Sequence, residues 1–364
     1  MSKIMHVIPS LNRGGAERFV VDLCNELAKT HHVILVSLFD NGEDSFQKEV
    51  SPDVKLITLG KKAGFDLKVF FSLFKLIRRF RPRVVNTHMN ALEYLLPTIL
   101  FSRTTSIFHT LHSVANKEVV NSVVLKLRGK LFSRFVQPIT ISKAVSESFL
   151  KYYKLVGRDI IIINGRPNLE PDSNNVEIIN KKYRKGLDSR LFINVGRITE
   201  AKNQVALVRA FKEFNEQSNI KHTLLILGDV QDNSIFEELK LEISTSTDRV
   251  HLLGGCDNVV DYLGAGDCFC LTSLYEGMPI SLIEAFSLGL VSLCTPVGGI
   301  VDMIDDGVNG ILTDGTTIES ILKGFEKYSQ FSNSELIKEN ARINFFESYH
   351  ISYSAKNYLK IYKL

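Results

Sequence analysis

Two glutamates, Glu276 and Glu284, lie eight positions apart on either side of a glycine and a proline. The apolar run before them predicts a strand, and Pro279 suits the first turn of a helix. Glu276 is then expected in the loop and Glu284 about one turn into the helix. Free backbone N–H groups at a helix start favour an anion. Carboxylates beside such a site suit a ligand with phosphates and hydroxyls, for example a nucleotide sugar.

The alternative is that Glu276 is an ordinary loop residue and Glu284 an ordinary residue of the helix surface. For any single glutamate that alternative is the commoner case. Glu284, however, is the only charged residue between positions 278 and 296. A carboxylate among apolar residues needs a partner, which favours a role in binding.

Two cations, Arg197 and Lys202, follow another predicted strand and precede a helix. Arginine is a forked donor and lysine a point charge, so together they suit a diphosphate. Glu200 lies between them, and a solvated loop of mixed charge is the alternative. The diphosphate interpretation becomes specific only in combination with Glu276 and Glu284.

Two glycine pairs could let the backbone approach a ligand closely. Gly14 and Gly15 stand between the first predicted strand and a helix, where a phosphate is favoured. They do not form a dinucleotide fingerprint, and a tight turn is the alternative. Gly298 and Gly299 follow a later predicted strand and allow the same two interpretations.

His112 ends a predicted strand of the first half and is a candidate catalytic residue. It shares a strand face with Thr110, whereas His109 faces the other side. His88, at the end of the preceding strand, is a second candidate. A lone histidine is more often structural, but the carboxyl end of a parallel strand is where ligands bind. No Asp-x-Asp and no zinc-type cluster is found, so no metal is expected.

Short apolar runs alternate with helical patterns throughout the chain, which predicts the α/β class with doubly wound parallel sheets. Strands are predicted at residues 4–8, 33–38, 56–59, 84–87, 106–110, 138–141, 160–163, 191–195, 223–227, 250–253, 268–271, 291–294 and 310–312. Helices are predicted at residues 16–28, 67–80, 92–101, 119–135, 143–153, 205–214, 235–243, 259–263, 280–288 and 318–328, and in the tail from about 334. The pattern weakens at 168–185, where we place the interdomain connection. Two similar halves imply a cleft between them.

The chain of 364 residues is long enough for two domains and has the composition of a soluble globular protein. Its net charge of +4 gives no argument for nucleic acid as a partner. No run reaches the roughly eighteen apolar residues of a membrane span. The first residues predict a buried strand rather than a signal peptide. We therefore expect a cytoplasmic protein.

Two basic clusters in the first half are interleaved with large apolar residues, which indicates helices lying on an anionic membrane surface. The alternative is an ordinary amphipathic helix with a basic polar face. The clusters are Lys68, Lys75, Arg78, Arg79, Arg81 and Arg83, and Lys117, Lys126, Arg128, Lys130 and Arg134. The expected location is peripheral, on the inner face of the cell membrane.

Taken together, these segments resemble the retaining glycosyltransferases of family 4, and the resemblance spans nearly the whole chain. It implies the GT-B fold, in which two Rossmann-like doubly wound parallel-sheet domains face each other across a cleft. The most specific element is the E-x7-E motif at Glu276 and Glu284. We expect an acceptor-side domain at 1–170 and a nucleotide-sugar domain at 186–345. As in the family, a C-terminal helix at 346–364 would pack back on the first domain.

The resemblance also implies roles for individual residues. Arg197 and Lys202 would bind the donor diphosphate, Glu284 the ribose hydroxyls, and Glu276 would lie by the donor sugar. His112 would contact that sugar near the reaction centre. Further substrate contacts are expected from Gly14, Gly15, Gly277, Met278, Pro279, Ile280, Gly298 and Gly299, and the backbones of Gly277, Met278 and Pro279 would donate hydrogen bonds to sugar and phosphate.

The chain departs from the family pattern in two places. Gly228-Asp229-Val230-Gln231 stands where the family often has Gly-Asp-Gly-Pro, and Arg166-Pro167 stands where an acidic residue is common. The first departure affects the expected nucleotide edge. The second affects the hinge or a sugar contact.

The expected function is therefore transfer of a hexose from a nucleotide diphosphate sugar to an acceptor hydroxyl with retention of configuration. UDP is expected from family frequency, and no cofactor is expected. The expected acceptor is lipid-linked or a growing surface polysaccharide. A nucleotide-sugar epimerase and a non-catalytic sugar-nucleotide-binding subunit remain alternatives, whereas the missing fingerprint disfavours a nicotinamide dehydrogenase.

Overall fold

The structure is a computed structural model that describes residues 2–64, 66–101, 104–119, 121–186, 188–244, 249–331 and 335–364. Val120, inside the predicted helix at 119–135, and Ser334, the predicted start of the helical tail, lie outside these residues. The chain forms two compact units. The N-terminal unit comprises Met1–Pro167 and Tyr349–Leu364, and the C-terminal unit comprises Asn168–Ser348.

The N-terminal unit is built on a parallel sheet with the strand order β3-β2-β1-β4-β5-β6-β7. Its strands are β1 (Lys3–Ile8), β2 (His32–Ser37), β3 (Lys55–Thr58), β4 (Val84–His88), β5 (Ser106–Leu111), β6 (Gln137–Thr140) and β7 (Ile160–Ile161). The strand order reverses between β1 and β4, and the loops that follow these two strands diverge at that point. Open α/β sheets bind ligands at such a switch point.

Helices cover both faces of this sheet. They are α1 (Gly15–Ala28), α2 (Leu67–Phe80), α3 (Leu96–Phe101), α4 (Ala115–Glu118), α5 (Ser122–Arg134) and α6 (Lys143–Tyr153). A 3-10 helix, Met89–Leu95, leads into α3. The predicted helix at 119–135 starts later than expected, because the Asn121 side chain accepts hydrogen bonds from Val123 and Val124 and caps α5 at Ser122.

The C-terminal unit repeats the architecture with the parallel order β10-β9-β8-β11-β12-β13, which is the Rossmann order. Its strands are β8 (Leu191–Val195), β9 (Thr223–Leu227), β10 (Val250–Gly254), β11 (Cys268–Leu271), β12 (Val291–Cys294) and β13 (Ile311–Leu312). Its helices are α7 (Ser173–Tyr183), α8 (Gln204–Gln217), α9 (Asn233–Ser244), α10 (Val259–Ala265), α11 (Ile280–Leu288), α12 (Ile318–Phe331) and α13 (Glu335–Asn344). The expected α/β class with two parallel-sheet, Rossmann-like domains is thereby confirmed.

Helix α7 occupies residues where the sequence indicated only a connection. Its apolar face is small, since only Ile179 and Tyr183 are buried. The start of the helix is instead fixed locally, because the Asp172 side chain accepts from the backbones of Asn174 and Asn175. A polar run that looked like a linker is therefore a capped helix start.

The chain ends in the N-terminal unit. After a π-helical turn, Phe345–Tyr349, helix α14 (Ile351–Tyr362) packs against α1, with the rings of Phe19 and Tyr358 6.2 Å apart. The Tyr358 hydroxyl hydrogen-bonds Thr110 Oγ1 of β5 at 3.1 Å. Helices α1 and α14 thus cover the same face of the sheet.

Arg166 attaches the end of the unit's first segment to this returning tail. Its backbone N–H donates to Tyr349, and its carbonyl accepts from Ile351, both at 2.9 Å. Its buried guanidinium forms an ion pair with Asp22 of α1. The basic residue at this departure from the family pattern therefore has a structural partner on the first helix.

Arg128 does not belong to a basic surface cluster, contrary to the expectation from sequence. It is fully buried, and its guanidinium donates to Glu93 Oε1 at 2.6 Å and to Glu118 Oε1 at 3.0 Å. Closeness in sequence grouped Arg128 with the lysines of α5, but two carboxylates from other elements neutralise it inside the unit. No helix in the described part of the chain has the length and apolarity needed to cross a membrane.

Replacing Arg128 by methionine should destabilise the N-terminal unit strongly, because Glu93 and Glu118 would lose the cation they share. Removing one partner of a buried pair costs about 3–5 kcal/mol. Urea unfolding followed by circular dichroism measures the loss. Lys130→Met, an exposed change two positions along α5, is the control and should shift the midpoint little. Equal midpoints for the two variants would show that the buried network does not stabilise the unit.

Candidate active site

In the C-terminal unit an ion pair bridges the switch point of the sheet. Lys202, in the segment after β8, places Nζ 2.5 Å from Oε1 of Glu276, in the loop after β11. The Ser273 hydroxyl donates to the same carboxylate oxygen at 2.6 Å. The side chains are 20% exposed for Lys202 and 11% for Glu276. Two residues that the sequence singled out separately are thus in direct contact.

The segment after β8 is held in place by its neighbours. Leu274 donates its N–H to the carbonyl of Ala201 at 2.8 Å, which ties this segment to the loop carrying Glu276. Gly228 has φ +153° and lies against the backbone of Gly196, where a side chain would collide with the Gly196 carbonyl. The first departure from the family pattern therefore begins with a glycine that permits a close backbone approach.

Gly298 and Gly299 contact the backbone of the loop that carries Glu276. Gly298 has φ +52°, and a Cβ on it would overlap the Glu276 carbonyl oxygen. Gly299 donates its N–H to that oxygen at 3.3 Å. In this structure the two glycines contact the backbone of a site residue, which is a third possibility beside a ligand contact and a plain turn.

Helix α11 begins directly after the Glu276 loop. Met278, Pro279 and Ile280 are buried, and Pro279 is the N-cap, with no side-chain cap hydrogen bond. Pro279 cannot donate a backbone hydrogen bond as expected above, because proline has no N–H. Backbone donors at this point therefore come from Gly277, Met278 and Ile280.

Glu284 and Arg197 belong to the two chain segments that carry the ion pair, since Glu284 lies on α11, after the Glu276 loop, and Arg197 lies between β8 and Lys202. Glu284 is half-buried and lies about one turn into α11, which is the position along the helix that the sequence predicted. Arg197, six positions after the first residue of β8, is exposed, and no ion pair is found for it among the described residues. Lys202 is therefore neutralised by Glu276, whereas Arg197 has no carboxylate partner in the part of the chain that the structure describes.

The glycine pair of the N-terminal unit stands at the start of α1. Gly14 has φ −179°, an extended conformation that any residue adopts. The Glu17 carboxylate lies close to Gly14, where a side chain on Gly14 would meet it. The backbone geometry therefore does not itself require glycine here, and the space beside this helix start is shared with an acid.

His112 lies immediately after β5 and is half-buried. Its backbone N–H donates to Glu118 Oε2 at 3.1 Å, and its Nε2 lies 2.9 Å from Nδ1 of His88. His88 in turn places Nε2 2.9 Å from Nδ1 of His6, in β1. The two histidines named from the sequence are thus joined to each other and to a third, fully buried one.

His109 faces the other side of the sheet, as the strand alternation predicted. Its Nδ1 contacts the Thr87 hydroxyl at 2.8 Å, and its Nε2 contacts Glu118 Oε1 at 3.1 Å. Glu118 therefore touches His109 with one oxygen and the backbone of His112 with the other. A buried acid, neutralised by Arg128, fixes the end of β5.

Burial keeps these imidazoles uncharged. Desolvation lowers the pKa of His6 to about 3 and that of His112 to about 4, the nearby Glu118 opposing the shift in His112. It also lowers the pKa of His88 well below its ordinary value, and the neighbouring histidines add to that shift. The chain of three rings is therefore neutral at physiological pH.

Among the described residues no group of three or more His, Cys, Asp or Glu side chains is arranged to hold a metal ion.

Comparison with known proteins identifies the family. The family model described as Glycosyltransferase Family 4 matches residues 13–165, and the model described as Glycosyl transferases group 1 matches residues 175–343. The chain belongs to glycosyltransferase family 4.

Individual relatives of this family 4 member are distant. An uncharacterised glycosyltransferase of Methanocaldococcus jannaschii is 32% identical over 245 residues, which is 63% of this chain and 59% of the relative. The protein named GalNAc-alpha-(1->4)-GalNAc-alpha-(1->3)-diNAcBac-PP-undecaprenol alpha-1,4-N-acetyl-D-galactosaminyltransferase, from Campylobacter jejuni, is 25% identical over 86% of this chain and 84% of its own.

The fold of this family 4 member is shared with a solved structure. The crystal structure of Anabaena HepE in complex with UDP-glucose matches with a TM-score of 0.83 and 18% identity, covering 99% of both chains. At that identity the match shows the fold alone. With the family match, it supports the GT-B class for the two parallel-sheet domains.

Two residues of the candidate site were not found from the sequence of this glycosyltransferase. His6 contacts His88, and Ser273 donates to Glu276. His6 did give a signal, since it is the one polar residue in the apolar run from Ile4 to Ile8. Ser273 gave none, because a serine before a loop is too common to indicate contact with a carboxylate.

The stability of the glycosyltransferase should fall as the pH is lowered from about 7 to about 5. The unfolded chain binds protons at the ordinary histidine pKa of about 6.5, whereas His6, His88 and His112 stay neutral when folded. Each such histidine lowers the free energy of unfolding by up to about 1.4 kcal/mol per pH unit below that value. The contribution of these neutral histidines to the free energy of unfolding is therefore complete above about pH 6.5 and is lost progressively below it.

Urea unfolding at several pH values measures this dependence. His6→Phe should make the free energy of unfolding depend less steeply on pH, because one of the three histidines is removed. Substitution of the exposed His32 by glutamine should leave the pH dependence unchanged. A free energy of unfolding that is constant over this pH range would contradict the buried neutral histidines.

Proposed function

We propose that this chain is a retaining, metal-independent hexosyltransferase that uses a UDP sugar as donor and a lipid-linked or growing saccharide as acceptor. The observation that carries the proposal is the contact between Lys202 and Glu276 at the switch point of the C-terminal sheet. The same two segments also carry the exposed Arg197 and the start of α11, where the N-cap makes no side-chain hydrogen bond. Cation, helix end and carboxylate together match the parts of a nucleotide sugar.

The proposed donor binds with its diphosphate at Arg197, Lys202 and the first N–H groups of α11. A lysine ammonium has three hydrogens, so Lys202 can hold Glu276 and a phosphate oxygen at once. Arg197 adds a positive charge that no carboxylate of the described chain cancels. In this proposal Glu276 accepts from hydroxyls of the sugar, and Glu284, half-buried on α11, accepts from those of the ribose.

The proposed reaction breaks the bond between the anomeric carbon and the diphosphate oxygen, and forms a bond from that carbon to the acceptor oxygen on the same face. The acceptor proton passes to the leaving phosphate oxygen. Negative charge then grows on the diphosphate, where Arg197 and Lys202 stabilise it. No carboxylate is assigned the role of covalent nucleophile.

From the N-terminal unit we assign His112 and the Gly14–Gly15 backbone to the same reaction. His112 would contact the donor sugar and Gly15 the phosphates. The relative that bears undecaprenol in its name supports a lipid-linked acceptor, and the HepE complex supports UDP as the nucleotide.

A surface of the N-terminal unit supports action at a membrane. Leu67 and Phe71 of α2 and Leu100 and Phe101 of α3 are each more than half exposed. The rings of Phe74 and Phe101 lie 6.3 Å apart, so the two helices form one apolar patch. Lys68, Lys75, Arg78 and Arg79 of α2 are also exposed. Apolar side chains beside basic ones suit an anionic lipid surface.

Arg197→Met and Lys202→Met should each lower transfer from a UDP sugar by about ten- to a hundredfold, since a charge-assisted contact contributes about 1.5–3 kcal/mol. Lys212→Met is the matched control, because Lys212 lies in the same unit, is 22% exposed and pairs with Glu242. A panel of nucleotide sugars, screened by thermal stabilisation, selects the donor for the assay. Full activity in both site variants would exclude the proposed diphosphate site.

Two further arms of that assay separate the alternatives. Incubation with donor alone should give no isomerised sugar nucleotide, whereas an epimerase would convert its substrate without an acceptor. Transfer should persist in EDTA, and a complete loss that added metal reverses would contradict the metal-independent proposal.

Binding to vesicles that contain anionic lipid should weaken when Phe71 and Phe101 are both replaced by serine, because the patch would lose its two largest apolar side chains. Co-sedimentation measures the bound fraction. Leu241→Ser, at an equally exposed position on α9, is the control and should bind as the unchanged protein does. If the bound fraction changes neither with salt concentration nor with the acidic-lipid content of the vesicles, the basic side chains have no role in binding.

A further inference from the structure

Gln204 is the first residue of α8 and follows directly on the segment that carries Arg197 and Lys202, yet its side chain is fully buried. Its amide Nε2 donates to the carbonyl of Arg197 at 3.0 Å and to that of Gly196 at 3.4 Å. The two hydrogens of this nitrogen thus serve two successive backbone carbonyls. A single side chain therefore holds the backbone that follows β8.

Packing alone does not account for a glutamine at this position. The next buried residues on the same face of the helix, Leu207, Val208 and Phe211, are apolar. Because both groups beside the amide are carbonyl oxygens, its nitrogen must face them. The Oε1 atom of Gln204 is buried and has no hydrogen-bond partner among the described residues. An apolar side chain would avoid the free-energy cost of that buried oxygen, so the amide is explained by what its nitrogen holds.

Gly196 connects the amide to the side chain of Lys202. A Cβ on Gly196 would lie 3.3 Å from both Cδ and Cε of Lys202, so the aliphatic part of the lysine crosses the glycine backbone. A Cβ on Gly228 would overlap the carbonyl oxygen of Gly196, which shows how closely the two backbones approach. The N–H of Gly196 donates to Leu227 at 2.9 Å. A shift of Gly196 would therefore move the surface on which the lysine side chain lies.

Other contacts fix the rest of the segment between β8 and α8. The N–H of Ile198 donates to the carbonyl of Asp229 at 2.8 Å. At the end of the segment Asn203 has a left-handed backbone, with φ +56°, and its side-chain amide donates to the carbonyl of Thr316 at 3.0 Å. The buried glutamine adds the contact to the carbonyl of Arg197, between these points.

We propose that Gln204 is a positioning residue for the proposed diphosphate site, because it fixes the backbone of Gly196 and Arg197 and, through them, the side chains of Arg197 and Lys202. The inference rests on the proposed function, in which these two cations bind the donor diphosphate. Gln204 itself contacts no substrate in this assignment. Without its amide the two carbonyls lose a fixed donor, and the segment gains conformational freedom.

Hydrogen exchange of the full chain, measured by mass spectrometry, tests the positioning without any ligand. Gln204→Met keeps a long side chain but removes the donor, so the amides of residues 196–203 should exchange about fivefold faster or more. Asn215→Leu is the matched control, because Asn215 is a buried amide of the same helix that donates to the carbonyl of His222 at 3.0 Å. It should leave exchange at 196–203 unchanged. Unchanged exchange there in Gln204→Met would overturn the inference.

Calorimetry with inorganic pyrophosphate tests the consequence for binding. Gln204→Met should weaken the affinity for pyrophosphate by about five- to tenfold, since misplaced binding groups lose much of their contact energy. Asn215→Leu should bind as the unchanged protein does. In an Arg197→Met background the factor caused by Gln204→Met should be smaller, because one of the cations through which it acts is absent. An equal factor in both backgrounds would overturn the inference.

These measurements separate the inference from the proposed function. If pyrophosphate binds the unchanged protein no more tightly than a variant lacking both Arg197 and Lys202, the proposed diphosphate site is wrong, and hydrogen exchange still decides whether Gln204 holds the segment. If binding depends on both cations but is unchanged in Gln204→Met, the site stands and the inference is overturned. Where Gln204→Met does not fold, Gln204→Leu, which also lacks the donor, takes its place in both measurements.

Discussion

The contact between Lys202 and Glu276 joins positions 74 residues apart, and it depends on one topological constraint. In a parallel sheet all strands end at the same edge, and the strand order reverses between β8 and β11. The segments after these strands therefore meet without any long-range sequence signal. Everything proposed for the C-terminal unit depends on this adjacency, since neither residue alone differs from an ordinary solvated charge.

Much of the fold could be predicted because its signals are local. The apolar runs of β8, β9, β11 and β12 have the same bounds in the sequence prediction and in the structure. One failure has a local cause and another does not. Helix α7 buries too few apolar side chains to show a helical period, and only the capping by Asp172 marks its start. Arg128 failed for the opposite reason, because its partners, Glu93 and Glu118, are distant in sequence and no pattern around α5 points to them.

The same limit applies to the candidate site. Residue type and spacing identified Glu276, Lys202 and His112 as candidates, but their roles remain predictions. The sequence could not show that Gly298 supports the backbone of Glu276, because that contact joins two different loops. It also could not show that His88 is enclosed between two other rings. Contacts between neighbouring strands depend on register, and register follows from the whole sheet.

The two units use the same topological position with opposite electrostatics. At the switch point of the C-terminal sheet, a lysine and a glutamate form an ion pair whose side chains are 20% and 11% exposed. At the switch point of the N-terminal sheet, three histidines are joined in the interior, where burial keeps them neutral. A charge on any one of them would be desolvated by the surrounding protein. These three histidines therefore carry no positive charge at neutral pH, and in the proposed function the stabilisation of a leaving diphosphate is assigned to Arg197 and Lys202.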